Sequence, residues 1–482
     1  MYMSGKTPSR SRPPARAAPV SELARTYLFD ACDRVQKRYE DMINQQRAND
    51  GTHKRKFSCR VREGGLSIAN CVRVMLTMGT SDVYTELTNS NLFPPTRVPD
   101  PSNFVQTRDD IPTVFFEDMF KDFVEEFYWK RMVATPVARH QWRFYAIDGS
   151  EASYPENKDE EGTHVKPKTG DSRSRNAYHI NAMICTDTNM FVDLLPQEIH
   201  SYDEHDAAYQ FMERLAARFS DDAEARRHCV EEMDRGYESW QLFTQAERLG
   251  LSFLVRAKEP ASKGVLYSLQ DQLPMDHEEF DADVAITLTR SLKKAKARSS
   301  FHFIPGNVRC KECTRDEDCR VEFRVIKVKL GDNSFEYLIS NLPRGEFPLS
   351  VFKKVYFYRW KVEIGFLFVK TAVGLIYFHA KKGISVMKEI WSRFLTYNFI
   401  MLVCHDASVR FEDANSATVD NNKVTKINVS NAVADAKRYL RCNEKYDLSE
   451  VICRHKVPVR KNRIFERDLN SKKAIPFTHR AK

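Results

Sequence analysis

The sequence predicts a mixed α/β protein in which a helical region precedes a core of alternating strands and helices, and a β-rich block interrupts that core. Residues 21–135 carry apolar side chains at helical intervals. From Gln141 onward, short aromatic and β-branched runs alternate with helical stretches. Residues 260–345 lose the helical period, and it returns after Pro348. These three observations define the fold class.

The composition favours a globular protein with a polyanionic partner. The 482 residues are 42% hydrophobic and 29% charged, and 75 Lys and Arg face 66 Asp and Glu, for a net charge of +9. No apolar run approaches the roughly 20 residues of a membrane-spanning helix. Eleven Cys at irregular spacing indicate a reducing cytoplasm. The composition therefore argues against a membrane protein and a secreted disulfide framework.

The helical region begins with one long helix. Ser21–Asn49 has an apolar stripe and contains neither Pro nor Gly. Further helices are predicted over Leu66–Leu76, Val83–Leu87 and Ile111–Val133, where Pro112 suits a first turn. Residues 21–135 are thus expected to form a small helical domain.

The core begins with a strand, a long excursion and a hairpin. Glu151–Asn176 is rich in charged and small residues and is predicted to be an exposed loop. Beyond the hairpin, Gly250 is expected to end a helix just before a strand. The strands are predicted over Trp142–Ile147, Tyr178–Ile184, Phe191–Leu195, Ser252–Arg256, Val284–Thr289, Val321–Leu330 and Ser334–Ile339, and the helices over Glu204–Phe219, Trp240–Leu249, Val351–His379 and Ser385–Cys404.

These patterns divide the chain into six segments. They are a basic disordered tail (1–20), a helical domain (21–135), the first part of the core (136–259), a β-rich insertion (260–345), the second part of the core (346–410) and a basic C-terminal region (411–482).

Four polar residues of the helix after Pro348 share one face. At about 100° per residue, Tyr356, Arg359, Glu363 and Lys370 project within roughly a 60° arc. Such a stripe often does no more than face water. Its meaning therefore depends on which other residues the fold brings to it.

Two aspartates supply carboxylates that this stripe alone lacks. Asp148 is predicted to end the first strand and precedes Gly149, and Asp234 stands in the turn-like sequence Asp-Arg-Gly-Tyr. Each aspartate alone is typical of a turn or cap. Two strand-end aspartates and a helical glutamate, however, suit a pair of Mg²⁺ ions that act in phosphoryl transfer.

The spacing Tyr356-x2-Arg359-x3-Glu363-x6-Lys370 resembles the Tyr-Arg-Glu-Lys signature of bacterial DDE transposases of the insertion sequence four family. All four residues and all three spacings agree. The segments around Asp148 and Asp234 resemble the first and second aspartate motifs of that family. The resemblance extends over roughly residues 60–470.

This resemblance implies an RNase H-like catalytic core interrupted by the β-rich insertion and preceded by a helical DNA-binding domain. It also implies cut-and-paste transposition, in which water attacks at the transposon end and the freed 3′ hydroxyl attacks target DNA. The implied partner is double-stranded DNA, both transposon ends and target, bound by a homodimer. The implied location is the bacterial cytoplasm, at the nucleoid.

The resemblance further implies the site residues. Asp148, Asp234 and Glu363 would be the catalytic ligands of two Mg²⁺ or Mn²⁺ ions. Arg359 and Lys370 suit bidentate and point-charge binding of phosphate, respectively. The residues expected to bind DNA are Tyr356, Arg359, Lys370, Arg235, Arg256, Arg460 and Arg463.

Three features depart from the family pattern. Residues 226–233, before Asp234, are highly charged, which predicts a short or exposed edge strand. The insertion lacks the Trp with which some relatives stack a flipped base, and Phe301 or Phe303 could replace it. Cys310, Cys313 and Cys319, with His302 nearby, are either part of a zinc site or reduced, partly buried thiols.

Two other functions stay open at this point. The chain could be a transposase-derived DNA-binding protein without catalysis, although the presence of all three carboxylates argues against this. It could also be a general RNase H-like nuclease, which would cut DNA without end specificity and join nothing.

Overall fold

The computed structural model describes residues 18–50, 66–167, 174–298, 300–331, 334–415, 425–442, 444–458 and 478–479. The N-terminal tail up to residue 17, and the expected DNA-binding residues Arg460 and Arg463, lie outside the described residues. No helix in the described segments is long and apolar enough to cross a membrane.

Helices dominate both ends of the described chain, and strands dominate its middle. The helices are α1 (Val20–Asn49), α2 (Ile68–Thr77), α3 (Val83–Asn89), α4 (Pro101–Asp110), α5 (Thr113–Val124), α6 (Pro136–Arg139), α7 (Glu204–Arg218), α8 (Ala223–Arg227), α9 (Trp240–Leu249), α10 (Leu292–Ala297), α11 (Leu349–Phe357), α12 (Lys361–Phe368), α13 (Gly383–Asn415), α14 (Val429–Arg441) and α15 (Leu448–Ile452). The strands are β1 (Arg143–Tyr154), β2 (His164–Val165), β3 (Arg175–Cys185), β4 (Phe191–Glu198), β5 (Cys229–Met233), β6 (Ser252–Ala257), β7 (Phe280–Thr289), β8 (Phe301–Phe303), β9 (Cys319–Gly331), β10 (Ser334–Ser340), β11 (Tyr377–Phe378), β12 (Thr425–Ile427), β13 (Lys456–Pro458) and β14 (Thr478–His479).

A single mixed sheet of ten strands runs through the described residues. Its order is β2-β3-β1-β5-β6-β10-β9-β7-β8, and β4 pairs with β3. Strands β1, β5 and β6 are parallel, whereas β3 and β10 run antiparallel to β1 and β6. Because β10 hydrogen-bonds to β6, the β-rich block continues the core sheet. The predicted mixed α/β class with a helical N-terminal region is confirmed.

The first strand is longer than predicted. Asp148 does not end β1, because the strand continues to Tyr154 and pairs with β3 along its whole second half. Its parallel pairing with β5 stops earlier, at the pair Ala146 and Glu232. The prediction of an exposed loop from Glu151 was therefore wrong for the first residues, since Tyr154 is fully buried.

The strand before Asp234 is central rather than at an edge. Strand β5 lies between β1 and β6, and all five of its residues are buried. Of the two predicted alternatives, the strand is short, with five residues, but the exposed edge was wrong because that prediction took Glu231 and Glu232 to face water. Both glutamates are instead covered completely.

The helix that carries the polar stripe is not one α-helix to His379. A 3₁₀ turn over Tyr358–Trp360 joins α11 to α12, and a π-helical turn over Val369–Val373 follows. Gly374 ends it with φ of 101°, a conformation that favours glycine. Local π-helical turns are often found at functional sites.

A buried charge network joins the N-terminal helices to α13. Helix α13 packs on α2 and α5. Arg108 Nη1 of α4 lies 3.3 Å from Glu389 Oε1 of α13, and both side chains are 3% exposed. The Glu389 carboxylate also accepts the main-chain N–H of His379. The N-terminal and C-terminal helices therefore share one core.

Glu389→Ala is expected to lower the free energy of unfolding by about 3–5 kcal/mol, because it leaves the buried Arg108 guanidinium without this partner. Urea unfolding followed by circular dichroism measures the effect. Glu117→Ala is the control, since Glu117 forms a 2.6 Å surface pair with Lys121, and it should cost about 0.5 kcal/mol or less. Equal losses in the two variants would contradict the network's role.

Candidate active site

The fold brings the three predicted carboxylates to one face of the sheet. Beyond the last β1–β5 pair, Ala146 with Glu232, Asp148 lies two residues further along β1 and Asp234 lies in the turn directly after β5. Burial is the main reason that the pKa of Asp148 is raised to about 6. The nearby charges of Asp234 and Glu363 also raise this pKa, whereas the Gly149 N–H and Arg359 lower it. Asp234 and Glu363 therefore both act electrostatically on Asp148.

Main-chain N–H groups fix the orientation of both aspartates. The Gly149 N–H donates to Asp148 Oδ1 over 2.8 Å. The Gly236 N–H donates to Asp234 Oδ1 over 2.7 Å and closes a tight turn directly after β5. A Cβ atom at position 236 would lie 2.9 Å from that oxygen. The Asp-Arg-Gly-Tyr sequence thus folds back on its own aspartate.

Arg359 lies between the carboxylates from two elements. Its Nη2 donates to Glu363 Oε1 over 2.5 Å, one turn further along the helix. Its Nη1 lies 3.8 Å from Asp148 Oδ2 on β1. The arginine side chain is only 9% exposed. One guanidinium therefore partly neutralises a cluster of like charges.

Along the polar stripe, Tyr356 precedes Arg359 and Lys370 follows it. The Tyr356 hydroxyl donates to the Met233 carbonyl over 3.3 Å, and its ring is buried against β5. Lys370 Nζ donates to Ser150 Oγ over 2.8 Å, and burial lowers the pKa of Lys370. Tyr356 thus supports the strand that leads to Asp234, and Lys370 extends the site along β1.

The other expected DNA-binding residues lie beside the site. Arg235 is exposed on the turn after Asp234. Arg256 of β6 forms a 3.2 Å ion pair with Glu336 of β10. Both cations are thus on elements that follow or neighbour β5.

A polar cluster that the sequence did not reveal packs behind Gly149. His179 Nε2 lies 3.0 Å from Glu204 Oε1, and the His179 ring stacks on Tyr202 at 4.0 Å. A Cβ atom at position 149 would lie 2.2 Å from His179 Nε2 and 2.6 Å from Glu204 Oε1. The only sequence signal was the glycine after Asp148, which predicted no more than freedom of the backbone to turn.

An exposed apolar stripe borders the polar one. Phe357, Trp360, Ile364 and Leu367 are 71%, 43%, 41% and 57% exposed. Their spacing of three, four and three residues places them on one helix side. The same spacing is present in the sequence. Polar residues stand between the four apolar ones, however, so the apolar stripe was not predicted.

The donor atoms suit a hard divalent cation, although the carboxylates stand apart from one another. Carboxylate oxygens are the ligands that Mg²⁺ and Mn²⁺ prefer. Throughout the described segments, no three His, Cys, Asp or Glu side chains lie close enough together to hold a metal ion as they stand. Asp148, Asp234 and Glu363 offer oxygen ligands of the kind such an ion takes, and Arg359 contacts two of these carboxylates.

The cysteines of the insertion are free thiols. Cys310 and Cys313 are buried, and Cys310 Sγ lies 3.6 Å from Thr244 Oγ1. Desolvation and the neighbouring Cys310 and Cys313 raise the pKa of Cys319 to about 11. As they stand among the described residues, these cysteines do not form a group of three ligands that could hold a metal ion.

The aromatic residues proposed for base stacking are distant from the carboxylates. Phe301 and Phe303 lie on β8, at the far edge of the sheet. Five strand spacings separate β8 from β5, which amounts to about 24 Å. Their side chains therefore lie well outside the cluster around Arg359.

Comparison with known proteins identifies a family. A family model described as "Transposase DDE domain" matches residues 140–399, more than half of the chain. No sequence among functionally curated proteins matches significantly. Seven chains of solved structures match. One is the cryo-EM structure of the piggyBac transposase synaptic complex with hairpin DNA, with a TM-score of 0.44 and 9% identity over 88% of this chain and 81% of that chain.

Asp148→Asn is expected to raise the free energy of unfolding at pH 8 by about 1–3 kcal/mol when no divalent cation is present. The pKa of Asp148 in the folded protein, about 6, is above its unfolded value. Its ionisation therefore costs stability, which is lost as the pH rises from about 4 to about 6, and the loss is complete above 6. The gain from asparagine should vanish at pH 4, where the folded wild type is protonated. Denaturant unfolding at pH 8, 6 and 4 measures it.

Asp222→Asn is the control of opposite sign. Its pKa is lowered to about 2, chiefly because its side chain caps α8 through the Ala225 N–H. Loss of that carboxylate should destabilise the protein at pH 8, and the difference should fade as the pH falls toward 2. If Asp148→Asn instead lowered the free energy of unfolding at pH 8, the expected destabilisation by the ionised Asp148 carboxylate would be refuted.

Proposed function

Because the chain belongs to the family of proteins with a transposase DDE domain, we propose that it is a metal-dependent DNA transposase that cuts transposon ends and joins them to target DNA by a cut-and-paste route. The observation that carries this proposal is that Asp148 lies near enough to Asp234 and Glu363 for their charges to raise its pKa, with Arg359 contacting both Asp148 and Glu363. The carboxylates come from β1, the turn after β5, and α12, which are far apart in sequence.

We assign the chain, within this family, to the insertion sequence four group with an RNase H-like core. The spacing of Tyr356, Arg359, Glu363 and Lys370 supports the group. The strand order β4-β3-β1-β5-β6 supports the RNase H-like core. Within these five strands, β3 runs antiparallel to both of its neighbours, β1 and β4. The insertion enters between β6 and α11, and hence between the second and third carboxylates.

The reaction would depend on positioning and charge rather than on a covalent enzyme intermediate. Arg359 and Lys370 would bind phosphate oxygens beside the scissile bond, the first through its planar fork and the second as a point charge. Tyr356 would hold β5, and with it Asp234, in register. Arg235 and Arg256 would contact the DNA backbone at the rim, and Arg460 and Arg463 would do so from the C-terminal region.

Asp148, Asp234 and Glu363 would hold two Mg²⁺ or Mn²⁺ ions, which when bound stabilise the charge on the attacking and leaving oxygens. The partial burial of Asp148 and Arg359 lowers the local dielectric around these groups. Charged contacts to the reacting phosphate are stronger there than in water.

The partner would be double-stranded DNA, first the transposon ends and then the target. Two ends must be cut together, so a homodimer would bridge them, with the helical domain of residues 21–135 contributing to DNA binding. A DNA substrate of this kind would place the protein at the bacterial nucleoid in the cytoplasm. Binding through phosphates should weaken steeply as salt rises.

Glu363→Gln is expected to abolish cleavage and strand transfer on labelled duplexes that carry the element's flanking ends, with Mg²⁺ or Mn²⁺. Loss of a direct ligand should exceed the roughly 10- to 100-fold cost of losing an outer-shell partner. Glu213→Gln is the matched control, because Glu213 is an exposed carboxylate that lies 3.6 Å from Arg248 on the surface, and it should cleave like wild type.

The same assay separates the alternatives. Equal binding of ends by wild type and Glu363→Gln, with no cleavage by either, would favour a DNA-binding relic. Cleavage of any duplex without joining would favour a general nuclease. Full activity of Glu363→Gln would remove the proposed site.

A further inference from the structure

Two glutamates at the centre of the sheet have no visible partner among the described residues. Glu231 and Glu232 of β5 are both 0% exposed. All four of their carboxyl oxygens lack a hydrogen-bond donor within the described segments. Burial of an unsatisfied carboxyl is costly. Such a group in a native core therefore calls for an explanation.

The two glutamates face opposite sides of the sheet. Glu232 pairs with Ala146, so it points to the side of Asp148 and lies one strand repeat below Asp234. Glu231 pairs with Tyr145 and points to the other side. They are adjacent, chemically identical and equally buried, but only Glu232 shares the face of the candidate site.

The charged groups that act on Glu232 are Arg359, Lys361 and Asp187. Lys361 already donates from Nζ to the Thr186 carbonyl. Asp187 is itself a carboxyl group and therefore cannot serve as a cationic partner of Glu232. Of the two cations, Arg359 is the one with a buried nitrogen that makes no hydrogen bond within the described residues. Among the described residues, no charged group acts on Glu231.

Arg359 carries an unsatisfied donor in the same region. Its Nη1 is buried and makes no hydrogen bond within the described residues, whereas Nη2 is bound to Glu363. A guanidinium in this place repels a divalent cation and occupies the carboxylate that would bind it. For Glu363 and Asp148 to take up a cation, the guanidinium needs another acceptor.

We propose that Glu232 is a positioning residue that accepts the Arg359 guanidinium when Asp148 and Glu363 bind divalent cations. The inference rests on the proposed metal site. The shift joins a buried donor to a buried acceptor, so it satisfies both groups at once. It also keeps Arg359 beside the site, available to a phosphate, while the two carboxylates are released.

The test is Mn²⁺ binding without DNA, measured as free Mn²⁺ by electron paramagnetic resonance, for wild type, Glu232→Gln and Glu231→Gln. Loss of a buried charged hydrogen bond costs about 1.5–3 kcal/mol, so Glu232→Gln should weaken Mn²⁺ binding about tenfold or more. Glu231→Gln removes the same carboxylate from the opposite face and should leave the affinity unchanged within about twofold.

A second variant tests the same pathway with Glu232 intact. Arg359→Met removes the competing guanidinium and should bind Mn²⁺ at least as tightly as wild type. Combined with Glu232→Gln, it should restore the affinity that the glutamine lost. Weaker binding by Arg359→Met would overturn the proposal, and this variant decides the question even if Glu232→Gln does not fold.

The remaining outcomes are equally decisive. Equal weakening by Glu231→Gln and Glu232→Gln would reduce the effect to general core damage. Rescue of Glu232→Gln by Lys361→Met instead of Arg359→Met would make Lys361 the true partner. Unchanged binding by Glu232→Gln, with binding lost in Asp148→Asn, would refute this inference and leave the proposed metal site standing. Binding that Asp148→Asn does not alter would remove both.

Discussion

The burial of Asp148 beside two further carboxylates is the constraint around which the surrounding structure is arranged. Burial, together with the nearby charges of Asp234 and Glu363, raises the cost of ionising Asp148. The sheet register and the turn at Gly236 hold two of these carboxylates in place. Arg359 offsets the charge in the described state, and its surroundings supply more acceptors than it uses. The negative charge of the site is thus partly neutralised by one side chain that contacts two of the carboxylates.

The sequence predicted much of this arrangement because the relevant signals are local. Helical periodicity located α1 and α2 within a few residues, and the spacing from Tyr356 to Lys370 identified the carboxylate on the helix. The prediction failed where burial depends on distant parts of the chain. Nothing local reveals that β3 extends β1 past Asp148, or that neighbouring strands on both sides bury the charged strand β5. Gly374 was a local signal for the end of this helix, but the helix was predicted to continue to His379.

The core and the helical region are joined more closely than a division of the sequence suggests. Helix α13 follows α12 in sequence but packs on α2 and α5 of the N-terminal region. The Arg108 and Glu389 pair fixes this contact in the interior, where a charge pair is sensitive to geometry. Movement of the N-terminal helices on DNA would therefore be transmitted through α13 to the segment that carries Glu363.

The junction between β6 and β10 has a consequence for how the chain can be shortened. Every residue of β6 except Arg256 is buried, and β10 covers the side of β6 that β5 leaves free. Without β10, an apolar strand would display a row of unpaired N–H and C=O groups, which is a template for intermolecular strand addition. The insertion thus protects a sheet edge as well as interrupting the core. A minimal fragment must retain β10 to stay monodisperse.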